Sequence, residues 1–215
     1  MNKVLVFDTE GIRSGLCYDL GGALVDIEGN VYDTFSLVNG DIFEGRRDLM
    51  QTAHYKEKIP KYERDIASGK RKMVSFYESH MALVHDMEMF NCDTVIAHNA
   101  RFDYNVTNST QRYLTKSKYR YYLPYGTKVW DSMKMATDTI AKQKMFIKFC
   151  EENGFMTNHK TPRPRVTAEV LYRFFTQDTE YSEEHTALED VLIEKEIVVR
   201  CFKTHKKMRK GLWGD

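Results

Sequence analysis

The sequence predicts an α/β fold in which a mixed central sheet of about five strands is flanked by helices. Short, nearly continuous apolar runs, typical of strands buried on both faces, alternate with stretches that carry apolar residues at helical spacing. A hairpin near the start of the chain adds antiparallel strands, so we expect the sheet to be mixed. The 215 residues and the hydrophobic content of 42% suit one domain, 1–215, with a core of ordinary size.

Five segments are predicted to be strands because they are rich in apolar residues and end at polar or turn-forming residues. They are Lys3–Phe7, Cys17–Ile27, Val31–Val38, Asp93–Ala97 and Thr127–Trp130. The second and third form a hairpin, since the Gly29-Asn30 pair between them favours a tight turn. Helices are predicted over Val74–Met89, from near Ala100, from Ser132, from Lys142, over Thr167–Phe175 and over about Thr186–Lys203.

Residues 40–72 interrupt this alternation, because they are polar, charged and poor in periodic apolar positions. We expect an inserted excursion there with one short helix. Residues 204–215 form a basic tail, which could bind nucleic acid, a partner or nothing.

Charge is distributed unevenly although the net charge is only +1. Between residues 112 and 128 there are five basic residues, no acidic residue and several tyrosines. The tyrosines are Tyr113, Tyr119, Tyr121, Tyr122 and Tyr125. Cations meet phosphates while rings stack on bases, so this segment suits a single strand of nucleic acid. Solvated helix faces around a core of tyrosines would produce the same pattern.

The start of the chain carries an apolar run of only five residues before an acid. That run is too short for a signal peptide or a membrane span, so we expect a cytoplasmic protein with no membrane partner. The four cysteines are scattered and have no zinc-like spacing, which is typical of free thiols in a core.

The first acidic motif, Asp8-Thr9-Glu10, comes at the end of the first predicted strand. Residues two apart on a strand point to the same side, so the two carboxylates would project together. Crowded carboxylates repel each other unless a cation lies between them, and oxygen ligands favour Mg²⁺ or Mn²⁺ over zinc. In isolation, such a motif is more often a solvated turn.

Two further motifs carry acids at the starts of predicted helices. In the segment 98–103, HNARFD, Asp103 lies where a carboxylate suits the helix dipole, and Asn99 suits an N-cap. In His185-X4-Asp190, five residues turn an ideal helix through about 500°, so the two side chains cannot share one face. We therefore expect Asp190 on the helix and His185 on the preceding loop, from which it could accept a proton. Each motif alone is typical of an ordinary helix start.

Together, the three motifs place four carboxylates and one histidine at strand ends and helix starts, where polar site residues of such sheets gather. We expect two divalent cations, Mg²⁺ or Mn²⁺, with His185 as the general base. The predicted metal ligands are Asp8, Glu10, Asp103 and Asp190.

The motifs DTE, HNARFD and His-X4-Asp closely resemble the DEDD superfamily of 3′→5′ exonucleases in its histidine branch. The resemblance runs from Val4 to about Val199, and Thr186 stands where a tyrosine-branch member would carry tyrosine. It implies a ribonuclease H-like fold and release of nucleoside 5′-monophosphates from a 3′ end. Carried over by motif position, the pocket for the terminal nucleotide would be lined by Thr9, Gly11, Ile12, His98, Asn99 and Phe102.

After the first motif the chain departs from the familiar proofreading pattern, with Gly11, Ile12 and Arg13 in place of a Thr or Phe followed by Thr. How the last base is held is therefore open, and Ile12 or Leu16 could supply the apolar contact. The chain ends within a dozen residues of the last predicted helix, so we expect a free-standing enzyme, and a polymerase or replication partner is not established. We expect 3′ ends of single-stranded DNA as substrate, with exoribonuclease or oligoribonuclease activity as the alternative, because contacts to the sugar 2′ position are not visible in sequence.

Two other classes of function fit parts of the sequence. A non-catalytic nucleic-acid-binding or polymerase-associated module would keep the fold, although none of the five catalytic positions is lost. A phosphohydrolase would use His85-Asp86 with His54 or His80 as its metal-binding dyad, but such dipeptides are common by chance.

Overall fold

The computed structural model describes residues 3–115 and 120–213. Within them, six strands form one mixed sheet in the order β4-β3-β2-β1-β5-β6. The strands are β1 (Lys3–Gly11), β2 (Cys17–Asp26), β3 (Val31–Asn39), β4 (Lys72–Val74), β5 (Thr94–Ala97) and β6 (Lys128–Asp131). The prediction of an α/β fold is confirmed, and the strand that the sequence pattern missed is β4. Three residues at a sheet edge are too few to show an alternation.

Among the described residues, six α-helices follow β4 in the predicted order, and three further α-helices precede it. They are α1 (Gly40–Phe43), α2 (Arg47–Met50), α3 (Ile59–Ala67), α4 (Phe76–Met89), α5 (Arg101–Leu114), α6 (Ser132–Asp138), α7 (Lys144–Glu152), α8 (Ala168–Thr176) and α9 (Ala187–Lys203), with 3₁₀ turns at Lys56–Lys58 and Ile140–Lys142. A capping box begins α4: the Ser75 hydroxyl accepts from Glu78 N and the Glu78 carboxylate accepts from Ser75 N. Across the described ranges, none of the helices has both the length and the apolar character needed to cross a membrane.

The central strand β1 explains why its apolar run is continuous. It pairs antiparallel with β2 and parallel with β5, and apolar clusters cover both of its faces. Val4 and Val6 pack in the cluster that contains α6–α9, while Leu5 and Phe7 pack with α4 and α5. Because β1, β5 and β6 are parallel, their C-terminal ends meet at one edge of the sheet, where Glu10, His98 and Asp131 lie at or next to the strand ends.

The segment 40–72 is folded more fully than the sequence predicted, with three α-helices in place of one. Ile42, Met50 and Tyr62 are buried and pack with Tyr18 of β2 and Val38 of β3. Helices of four residues, such as α1 and α2, complete barely one turn and leave no helical period to detect. The segment therefore extends the core beside the β2–β3 hairpin.

The basic end of the chain also packs on the sheet. Leu212 N donates to Val129 O at 2.9 Å, so the chain returns alongside β6. The Arg209 guanidinium donates to the Asp138 carboxylate at 2.8 Å. Part of the charge that the sequence assigned to a tail is thus paired within the fold.

The tyrosines between residues 112 and 128 separate into core and surface. Tyr122 is fully buried, and its hydroxyl donates to Ser79 Oγ at 3.1 Å. Tyr119 lies in 116–119, outside the described residues. The exposed members are Tyr113, Tyr121 and Tyr125.

Gly21 sets the distance between β2 and α9. A Cβ at this position would lie 2.3 Å from the carbonyl carbon of Ala187 and 2.4 Å from Leu188 N, which are backbone atoms at the start of α9. At neighbouring Gly22, a Cβ would lie 2.3 Å from Cζ of Phe35, the far end of a partly buried side chain. Only the second clash can be relieved by moving a side chain.

We expect Gly21→Ala to lower the free energy of unfolding more than Gly22→Ala. Overpacking costs about 1–3 kcal/mol when neighbours must shift, and at Gly21 the neighbours are helix backbone. Urea unfolding followed by circular dichroism measures both variants against the wild type. Equal losses would contradict the close approach of β2 and α9.

Candidate functional site

The four carboxylates predicted from sequence lie together at the edge of the sheet where β1 ends. Asp8 and Glu10 lie near the C-terminal end of β1. Asp103 and Asp190 lie in the first turns of α5 and α9. Burial raises the pKa of Asp8, and the charges of Asp103, Glu194, Glu10 and Asp190 raise it further. Each predicted ligand is therefore close enough to affect Asp8 electrostatically.

Asp103 is tied to the first acidic motif by Thr9. Thr9 N donates to Asp103 Oδ1 at 3.0 Å, and the Thr9 hydroxyl donates to the same oxygen at 2.9 Å. Burial raises the pKa of Asp103 to about 7, and the bonds from Thr9 oppose that rise. Thr9, predicted to line the nucleotide pocket, instead directs its side chain to a predicted metal ligand.

Glu10, His185 and Asp190 form a compact group. Each offers one ligand atom, and these atoms lie within 4.8 Å of one another, a spacing that could hold a cation. His185 lies on the loop immediately before α9, as predicted, with φ at 49°. The 185–190 spacing therefore brings a loop histidine and a helix aspartate to one point.

Two of the four predicted metal ligands each have a carboxylate oxygen that receives no hydrogen bond from the described part of the chain. These oxygens are Asp8 Oδ2 and Asp190 Oδ1, and both are buried. A buried carboxylate oxygen without a hydrogen bond is costly, so these atoms are suited to accept a positively charged ligand. Oxygen donors of this kind suit a hard divalent cation.

Burial and mutual repulsion disfavour the ionised form of these carboxyl groups. Burial, with Asp190 and Asp19, raises the pKa of Glu10 to about 9. Burial, with Glu183 and Glu189, raises the pKa of Asp190 to about 8. Burial also lowers the pKa of His185, which keeps its imidazole neutral at neutral pH and able to accept a proton.

Sequence reasoning missed further acids at the site. Glu194 is one turn beyond Asp190 on α9, is 4% exposed, and accepts a hydrogen bond from His98 N at 3.2 Å. Its i+4 spacing from Asp190 is a signal that the sequence contains. A second group with ligand atoms within 4.8 Å of one another joins His185 to Glu169 and Glu183.

Asp19 is another acid of the site that the sequence motifs did not include. It is fully buried on β2, opposite Glu10 in the strand pairing. Its Oδ2 accepts from the Tyr62 hydroxyl at 2.6 Å, from Ala187 N at 2.9 Å and from the Arg71 guanidinium at 3.4 Å. Asp19 therefore caps the first turn of α9 from a neighbouring strand.

Besides Thr9, two of the residues predicted to contact the nucleotide direct their side chains into the protein. The ring nitrogens of His98 contact Ser132 Oγ at 2.9 Å and the Val166 carbonyl at 2.7 Å. Ile12 is 1% exposed and packs with Met50 in the core beside the hairpin. Their hydrogen-bonding and apolar surfaces face inward.

The other predicted contacts differ among themselves. Gly11 is buried, and a Cβ there would lie 3.5 Å from the Leu16 carbonyl. Asn99 is exposed with φ at 63°, and Phe102 is 39% exposed beside Asp103. Asn99 and Phe102 are thus the predicted contacts that remain open to a ligand.

The alternative His-Asp dyad does not assemble in the described ranges. His54 and His85 are exposed, and His80 Nδ1 contacts the Tyr122 carbonyl at 2.7 Å. The two groups with metal-ligand spacing found among the described residues contain neither these histidines nor Asp86. The carboxylate site at the end of β1 is the better candidate.

We expect the melting temperature of the protein in EDTA to fall as the pH rises from about 5 to about 9. The folded-state pKa values of Glu10 and Asp190 lie above the ordinary values of 4.5 and 3.8 that an unfolded chain approaches. Ionisation in this window therefore costs folding free energy, and stability is lost as pH rises. Each kcal/mol corresponds to about 2–4 °C.

Added Mg²⁺ or Mn²⁺ should raise the melting temperature more at the alkaline end of this window than at the acidic end, because only ionised carboxylates bind the cation. Asp33→Asn, at an exposed acid on β3, is the matched control and should leave both trends unchanged. A pH-independent melting temperature in EDTA would contradict the repulsion.

No protein-family model matches this chain, and a search of curated proteins finds no relative. The function of this chain is therefore inferred from its sequence motifs and from the geometry of the site.

Proposed function

We propose that this chain is a 3′→5′ exonuclease of the DEDD superfamily, histidine branch, with a ribonuclease H-like fold. Its reaction would be hydrolysis of phosphodiester bonds in single-stranded nucleic acid, preferentially DNA, with release of nucleoside 5′-monophosphates. The observation that carries the proposal is the convergence of four carboxylates and His185 at the end of β1. The central hairpin strand β1, with parallel strands beyond it, supports the fold part of the proposal.

The residues present fit a pair of divalent cations, Mg²⁺ or Mn²⁺. Asp8, Glu10, Asp103 and Asp190 would hold them, and the unpartnered oxygens of Asp8 and Asp190 are suitable ligand atoms. When bound, the cations would neutralise the carboxylates, lower the pKa of the attacking water and stabilise the leaving 3′ oxygen.

His185 supplies the base in this proposal. Its ring is neutral near pH 7 because burial lowers its pKa, and it lies on a loop beside Glu10 and Asp190. It takes one proton from water as the water oxygen bonds to phosphorus. The bond between phosphorus and the 3′ oxygen breaks, and the 3′ oxygen leaves with a proton from solvent.

The surroundings of Asp103 favour a single strand. Arg101 and Phe102 are exposed immediately before it, which places a cation for phosphate and a ring for base stacking next to the site. Tyr121 and Tyr125 add exposed rings further along the chain. The RNA alternative differs in contacts to the sugar 2′ position.

Digestion of paired DNA and RNA oligonucleotides, labelled at the 5′ end, tests the proposal. With Mg²⁺ or Mn²⁺ we expect a ladder that shortens from the 3′ end, and with EDTA no cleavage. Faster DNA cleavage supports the preferred substrate, and faster RNA cleavage replaces it with the alternative. Absence of cleavage with every metal would overturn the enzyme and favour a binding module.

Asp8→Ala and Asp190→Ala should each reduce turnover by several orders of magnitude, because each removes a metal ligand. Strand binding should persist, as judged by fluorescence anisotropy of a labelled oligonucleotide. Asp33→Asn removes an exposed carboxylate away from the site and should keep wild-type turnover. Wild-type rates in either alanine variant would refute this site.

His185→Ala should lower turnover by about 10²–10⁴-fold, the range expected for loss of a general base. Metal affinity, measured by titration calorimetry, should stay close to that of the wild type. A loss of affinity as large as that of Asp8→Ala would instead make His185 a metal ligand, which its position beside Glu10 and Asp190 also permits.

A further inference from the structure

Tyr55 lies flat against the ring of His185. The ring centroids are 4.1 Å apart and the planes differ by 6°, so the two rings form a parallel stack. Tyr55 belongs to the segment 40–72, just before the 3₁₀ turn at Lys56–Lys58. From the sequence, this segment was predicted only as an inserted excursion.

The same segment also forms ion pairs with residues on both sides of His185. Lys61 Nζ lies 2.8 Å from the carboxylate of Glu184, the residue before His185. On the other side, Arg71 Nη2 lies 2.6 Å from the Glu189 carboxylate. The Tyr55 stack therefore lies between an ion pair to the loop and an ion pair to the first turn of α9.

The backbone at His185 needs such support. Its φ of 49° lies in the left-handed region, which a residue with a side chain adopts at a cost unless surrounding contacts hold it there. A stacked ring blocks rotation of the imidazole plane while it leaves the in-plane nitrogens free. One of them, Nδ1, lies 3.8 Å from Glu183 Oε2.

We propose that Tyr55 is a positioning residue, whose ring holds the His185 imidazole in the orientation that accepts the proton from water. This inference rests on the proposed exonuclease function and assigns a purpose to the segment 40–72. The segment supplies one wall of the proposed catalytic site. Its contribution to the reaction is the stacking of Tyr55 on His185.

The test replaces the flat ring with a branched side chain and then restores the ring. Tyr55→Leu should lower kcat by about 10- to 100-fold with little change in KM, because a misdirected base slows the chemical step without altering strand binding. Tyr55→Phe should keep wild-type kcat, because it retains the stack. Tyr77→Leu, at a tyrosine of α4 that is 69% exposed, controls for loss of a tyrosine.

A proton NMR spectrum supplies a readout that does not need activity. The imidazole C–H resonance of His185, assigned by its absence in His185→Gln, should be shifted upfield by the Tyr55 ring current. The shift should survive in Tyr55→Phe and disappear in Tyr55→Leu. Thermal melting confirms that each variant is folded.

The outcomes separate this inference from the function on which it rests. If the wild type cleaves and Tyr55→Leu keeps its kcat, the inference fails and the exonuclease stands. If Tyr55→Phe is as slow as Tyr55→Leu, the hydroxyl matters and the stacking argument fails. If the wild type cleaves nothing, the proposed function fails. If the His185 resonance is not shifted upfield, Tyr55 does not stack on His185 and the inference fails as well.

Discussion

The buried carboxylate of Asp19 is the contact on which the arrangement of the site depends. One of its oxygens accepts hydrogen bonds from Tyr62 of α3, from Arg71 and from the first N–H of α9, at Ala187. A buried charge that loses its partners costs several kcal/mol of folding free energy. Separation of these elements from β2 would therefore destabilise the fold. Because Asp19 is opposite Glu10 in the strand pairing, the same contact places the start of α9 next to the first acidic motif.

The site is assembled against its own electrostatic repulsion. Asp8, Glu10 and Asp190 are buried together, and burial with neighbouring charges raises the pKa of each. The two apolar clusters on the faces of the sheet supply the opposing free energy. A fold that accepts this cost holds several carboxylates close together, an arrangement that could bind a cation.

Secondary-structure elements with a clear apolar pattern were predicted from the sequence, whereas the very short elements β4, α1 and α2 were not. The runs that became β1 and β2 were visible because both faces of these strands are covered, and the Gly29-Asn30 turn indicated the hairpin to β3. The fold of the segment 40–72 was not visible, since α1 and α2 have four residues each and bury apolar side chains at irregular intervals. Its place in the core depends on contacts with β2 and β3, which no local period records.

By itself the sequence determined the types and local placement of the main site residues. A strand period of two and a helical turn of about 100° per residue are local rules, so they put Asp8 with Glu10 and His185 before α9. Only the tertiary structure decided what surrounds them. It turned His98 inward and placed Asp19 and Tyr55 against the start of α9, because these contacts join segments far apart in the chain.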